Sequence, residues 1–191
     1  MTVIIEYTGE QPVSVDEAKL AARVDGTELD DVIESLIASA REHAEDLTGR
    51  CYCEQIRTYE LRDWPTVCDE LPVNAATACV VTYWDGTRWS DPLDAAQYAF
   101  APGGLGSIAT VLAPTTSWPE LGTRVIGPRV RIVLTAGPSD PATVPEQVKT
   151  FIKASVSAWL ATPEAQGAGR NGVLTANPLY DRLLDGQRLR N

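Results

Sequence analysis

The 191 residues are 44% hydrophobic and 22% charged, amounts that suit one globular domain and exclude a wholly disordered chain. With 16 Lys and Arg against 26 Asp and Glu, the net charge is −10, a field that repels nucleic acid rather than gripping it. No apolar run approaches the ~20 residues needed to span a bilayer, and Met1 to Glu10 lacks the basic start and long apolar run of a signal peptide. The charge is also polarised: residues 1–50 carry −8, 51–139 carry −3 and 140–191 carry +1.

Two helices open the chain. Ser14 and Glu17 have capping-box spacing after Pro12, which predicts a helix over about 15–23 with Val15, Ala18 and Ala22 on one face. Asp25-Gly26 breaks it, and Thr27 with Asp30 offers a second capping pair. Leu29, Val32, Ile33, Leu36, Ile37, Ala40, Ala44 and Leu47 then recur at steps of three and four, the clearest amphipathic helix in the chain. Its other face carries Glu28, Asp31, Glu34, Arg41, Glu42 and Glu45, and Gly49 supplies a left-handed stop.

The period then changes. Cys53–Leu61, Cys79–Trp84, Ser107–Leu112 and Arg129–Leu134 read as strands, rich in β-branched and aromatic residues. Asp85-Gly86 between two such runs predicts a hairpin with a type I′ turn. Pro and Gly gather at 101–106, 114–122 and 137–141, so 53–136 reads as a small antiparallel β unit inserted between helices. Thr143 and Glu146 form a third capping pair, and Val144, Val148, Phe151, Ile152, Ser155 and Trp159 stripe the helix behind them. The predicted fold class is α+β: a helical bundle from 1–52 and 137–163, the β insertion, and a tether with a C-terminal arm over 164–191.

Residues with reactive chemistry are sparse. Cys51, Cys53, Cys68 and Cys79 include no CxxC pair and read as reduced, structural cysteines. His43, the one histidine, sits among charges on a helix face, and a hydrolase would have to use it. The glycine-rich segment 101–106 lacks the lysine of a phosphate loop. No cofactor or metal is expected, and the chain does not read as an enzyme.

The end of the chain allows two readings. Asn177-Pro178 starts a helix of about 178–185 behind the Gly-rich stretch 165–172. That short helix either packs on its own domain or is a tethered arm that orders on a partner.

Pro12-Val13-Ser14, Glu17-Ala18-Lys19, Arg23-Val24-Asp25 and the helix closing on Asp46-Leu47-Thr48-Gly49-Arg50 occur in a telling order. With Val81-Thr82-Tyr83, Asp85-Gly86, Gln97-Tyr98, Ser117-Trp118-Pro119, 131–137 and Val144-Pro145-Glu146, the pattern resembles the head–tail connector family of long-tailed bacteriophages, also called adaptor or head-completion proteins. The resemblance spans most of residues 12–162 and fits a longer member with a β insertion.

That resemblance implies a structural virion protein of the neck, made in the host bacterial cytoplasm. Copies would form a ring, commonly of twelve, under the portal protein, extend the DNA channel and seat the next neck or tail component. DNA would pass without specific binding, and no membrane is involved. The arm Pro178, Leu179, Tyr180, Leu183, Leu184, Arg188, Leu189 and Arg190 is then the candidate portal-docking segment. Glu34, Glu42 and Glu45 are candidates to face the channel, or else belong to an ordinary solvated helix face. Trp89 and Trp118, near turns, are candidate interface residues. Another neck or tail piece, such as a stopper or tail terminator, and a general protein-interaction module are the alternatives.

Overall fold

The computed structural model describes residues 2–65, 70–71, 73, 76–101, 110–161 and 182–188. The chain is α+β and divides into two compact units. One comprises Glu10–Cys53 and Pro138–Arg188, the other Met1–Gly9, Glu54–Gly137 and Leu189–Asn191.

The first unit is helical. Helix α1, Val15–Ala22, begins on a complete capping box: Glu17 N–H donates to Ser14 Oγ at 3.2 Å and Ser14 N–H donates to Glu17 Oε2 at 2.9 Å. Helix α2, Asp30–Thr48, ends on Gly49 at φ +74, as the sequence predicts. Its expected Thr27–Asp30 cap does not form. Leu29 occupies the N-cap without a side-chain bond, and Asp30 instead receives a hydrogen bond from Lys19 Nζ at 2.7 Å. Helix α3, Glu146–Ala161, is preceded by a 3-10 turn at Pro141–Thr143. Asp140 caps that turn, accepting from Ala142 N–H at 2.8 Å, and the Thr143 hydroxyl, expected to pair with Glu146 at the start of α3, donates to Asp140 O at 2.7 Å. Ile33, Ile37, Ala40 and Ala44 of α2 meet Val148, Phe151, Ile152 and Val156 of α3 in one core with Val13, Ala18, Val144 and Leu184.

The second unit is built of antiparallel strands. Strands β1 (Thr2–Tyr7), β2 (Gln55–Leu61), β4 (Ala76–Tyr83) and β7 (Val130–Ala136) form a sheet in the order β1-β2-β7-β4. Strands β3 (Glu70–Leu71), β5 (Tyr98–Ala101) and β6 (Thr110–Pro114) form a second, ordered β3-β6-β5. In the central strand β7, Val130, Ile132, Leu134 and Ala136 are buried and alternate with half-buried residues, the period-2 signature the sequence shows. Tyr59, Leu71, Val73, Ala76, Val81, Tyr98 and Leu112 are buried with them.

Two features of this unit depart from the sequence reading. Residues 2–9, expected with the bundle, belong here, because Thr2–Tyr7 pairs with β2 from Thr2↔Glu60 to Tyr7↔Gln55. The Asp85-Gly86 turn is also not type I′. That turn needs two positive φ angles, whereas only Gly86 (φ +114) has one. Asp85 Oδ1 takes the amides of Thr87 and Arg88 at 2.7 and 2.8 Å, and the connection widens to four residues between the paired Trp84 and Trp89. The backbone N–H donors of Arg88 and Thr87 hold the Asp85 carboxyl below its ordinary range.

Candidate functional site

The acidic helix α2 divides into two kinds of carboxylate. Glu34 and Glu42 are exposed. Glu45, expected beside them, is buried, and this corrects the sequence reading. Arg41, 1% exposed, donates to Glu45 Oε2 at 3.1 Å, to Glu42 Oε1 at 3.2 Å and to Gln11 Oε1 at 3.0 Å. The second Glu45 oxygen accepts from Tyr52 N–H at 2.7 Å. The network ties the segments before and after the two opening helices to α2. Removing one partner would leave the other charge desolvated and short of bonds.

The described part of the C-terminal arm is a 3-10 segment, Arg182–Gln187, rather than the expected helix of 178–185. Leu184 is fully buried in the helical core and Leu183 packs against it. Arg50 Nε donates to Gln187 O at 2.7 Å, and Arg188 pairs with Asp185 at 3.3 Å. Of the two sequence readings, these seven residues follow the one that packs on its own unit, so Leu184 is a core side chain and not a docking one. Pro178, Leu179, Tyr180, Leu189 and Arg190 lie outside the described residues.

Four tryptophans, Trp64, Trp84, Trp89 and Trp118, are half-buried and pack in pairs, whereas Trp159 is exposed. Trp118 stacks on Trp64 with centroids 4.5 Å apart, and Trp64 Nε1 donates to Pro119 O at 2.8 Å. Trp89 lies edge-on to Trp84, with the Arg131 guanidinium 4.5 Å over the Trp89 ring and Arg124 4.6 Å over the Trp84 ring. These side chains brace the β unit.

Chemistry for catalysis is thin where the structure is described. His43 is exposed and lies 6.0 Å from the Phe151 ring. Burial pushes the Cys79 thiol up to about 12, which makes it a poor nucleophile. Cys68 lies outside the described residues. Among the described residues no group of three or more His, Cys, Asp or Glu side chains could hold a metal. No helix among them is long and apolar enough to cross a membrane. A cavity of about 320 Å³ is lined by Arg62, Asp63, Thr123, Arg124, Val125, Gly127 and Arg129. Asp63 and Arg129 are already an ion pair, and Arg124 donates to Pro128 O at 2.7 Å, so its polar groups serve largely to shape the loop.

No family model matches the sequence, and no curated protein matches it. Solved structures with the same fold come from gene transfer agent (GTA) particles. A chain in the virion of the native particle superposes with a TM-score of 0.75 at 17% identity, covering 100% of this chain and 97% of that one. A chain in the neck of the empty particle, computed with C6 symmetry, gives 0.70 at 18% identity over 98% and 96%. One in the neck of the native particle, computed with C12 symmetry, gives 0.66 at 17% identity over 98% and 96%. The likeness therefore covers both units and nearly the whole of each chain, and at these identities it is a likeness of fold.

Proposed function

We propose that this chain is a structural component of the neck of a phage or phage-like particle, where copies close into a ring below the portal and extend the passage for DNA. The observation that carries the reading is the whole-chain fold shared with neck chains of GTA particles. Twelve is the copy number we assign, since a ring of twelve obeys both C6 and C12 symmetry. The motifs at 12–50, 81–86, 97–98, 117–119 and 131–146 that resemble head–tail connectors support the same reading from the sequence.

The physics agrees. A collar around moving DNA works best if it does not grip phosphates, and a net charge of −10 opposes counterion-releasing contacts. Exposed Glu34 and Glu42 are our candidates for the lining; buried Glu45 is not. Arg188, with Pro178, Leu179, Tyr180, Leu189 and Arg190, remains our candidate for the portal contact, and the opposite end of the ring would seat the next neck or tail protein.

Imaging the purified chain bound to the portal of its own particle tests the reading. A ring of twelve copies coaxial with the portal is expected, and a chain that never associates with the portal would overturn it. Replacing Glu34 and Glu42 with Lys is expected to slow DNA exit from particles whose necks still assemble. Unchanged ejection would remove those two residues from the lining.

A further inference from the structure

Strand β1 is an anomaly in a folded chain. It is the terminal strand of its sheet, and all six of its residues, Thr2 to Tyr7, are exposed. Ile4 is 55% exposed and Ile5 43%. The strand bears none of the devices that protect sheet edges: no Lys, no Pro, no bulge, and Glu6 as its sole charge. Thr8 N–H donates to Glu54 O at 2.9 Å. By antiparallel alternation the even residues then bond inward to β2, which turns the backbone N–H and C=O groups of Val3 and Ile5 outward. Among the described residues no strand pairs with that outer edge.

The same unit holds a second exposed apolar feature. Val125 is 90% exposed and Ile126 82%. Their loop is not loose. Gly122 N–H donates to Trp84 O at 2.9 Å, and a Cβ on Gly122 would lie 2.0 Å from Gly86 N, so backbone meets backbone there. Arg124 rests on Trp84, next to strand β4 at the other edge of the sheet. Fixed backbone presents two aliphatic side chains to solvent at a cost in hydration that only a partner removes.

We propose that these two features form one contact between neighbouring copies: the outer edge of β1 of one copy is covered by the Val125–Ile126 loop of the next. This rests on the ring reading above. A ring closes through a heterologous contact, which consumes two different faces of every copy, and the β unit exposes two different apolar features. The repeated symmetry of the neck particles that share this fold makes a second copy, rather than an unrelated protein, the occupant.

The test uses the full chain in sedimentation velocity over a concentration series, alone and with portal. Ile4→Lys breaks one face and the double change Val125→Asp, Ile126→Asp breaks the other. Each site is exposed, so both proteins are expected to melt as the parent does. Each variant alone is expected to weaken copy-to-copy association about thirty-fold or more, the loss of an interface anchor, and to form no rings. Mixed together, they retain one intact interface per pair, so the mixture is expected to give a two-chain species and nothing larger. Rings from either variant, or a mixture that stays monomeric, would overturn the proposal. A parent chain that forms no ring alone or on the portal would instead overturn the ring reading itself.

Discussion

The two units differ in where their exposed apolar side chains lie. In the helical unit Ile33, Ile37, Val148, Phe151, Ile152 and Leu184 are all buried to within 2% of full burial, the buried charges Arg41 and Glu45 bond each other, and Leu20, Leu29, Val32 and Trp159 stand exposed. In the sheet unit β7 is as well buried, yet Val3, Ile4, Ile5, Val80, Val125 and Ile126 stand exposed. The bundle's exposed apolar residues fall on α1, the start of α2 and α3, whereas most of the sheet's fall on one edge strand and one loop. On the proposal above, a neighbouring copy would cover the sheet's exposed set.

Mutations at matched positions test that contrast. The largest effect is expected for Leu184→Asp, which places a carboxylate among Ile and Phe side chains with no partner. A loss of at least about 4 kcal/mol is expected in denaturant unfolding, and a small change would mean that the 182–187 segment does not pack on the bundle. Next comes Glu45→Ala, which removes the buried carboxylate from Arg41 and leaves the Tyr52 amide without its acceptor. About 3 kcal/mol is expected to be lost, whereas Glu42→Ala, at the exposed end of the network, is expected to cost under about 1 kcal/mol. Near-equal losses from the two would contradict the burial of Glu45.

Smaller effects follow at the surface. Backbone donation from Ser14 N–H holds the Glu17 carboxyl below its usual 4.5. Because the folded value is the lower one, this contribution is present in full above pH 4.5 and is lost as pH falls through the folded value. Amide protection at Glu17 and Ala18, referred to intrinsic rates, is expected to fall in that acid window. Ser14→Ala is expected to reduce it at neutral pH, at a cost of about 1 kcal/mol. Smallest of all is Ile4→Ser, expected to change unfolding free energy by no more than about 0.5 kcal/mol in the unassembled chain. A large loss there would place β1 in the core and dissolve the contrast.

The bundle was the more legible unit because its signals are local. Ser14 and Glu17 bond each other three residues apart, and of the α2 stripe Ile33, Ile37, Ala40 and Ala44 are buried, while Leu29 and Val32 at its start are exposed. Strand β1 escaped notice because both its faces are exposed, so no alternation marks Val3-Ile4-Ile5, and its partner β2 lies some fifty residues on. The hairpin was visible in Asp85-Gly86, but not that the Asp85 side chain would take two turn amides and widen the loop. Glu42 and Glu45 look alike in the sequence. Only the buried Arg41 separates them, and arginine is so seldom enclosed that periodicity assigned it to the wet face. The docking arm misled for a related reason: Leu183 and Leu184 signal burial without saying against what.

The central claim is that copies of this chain assemble around a passage for the genome. The mass of the species that the purified chain forms on its portal, read by native mass spectrometry, addresses it most directly. Twelve copies bound per portal ring is the expected result. A chain that stays solitary with the portal present would contradict the account.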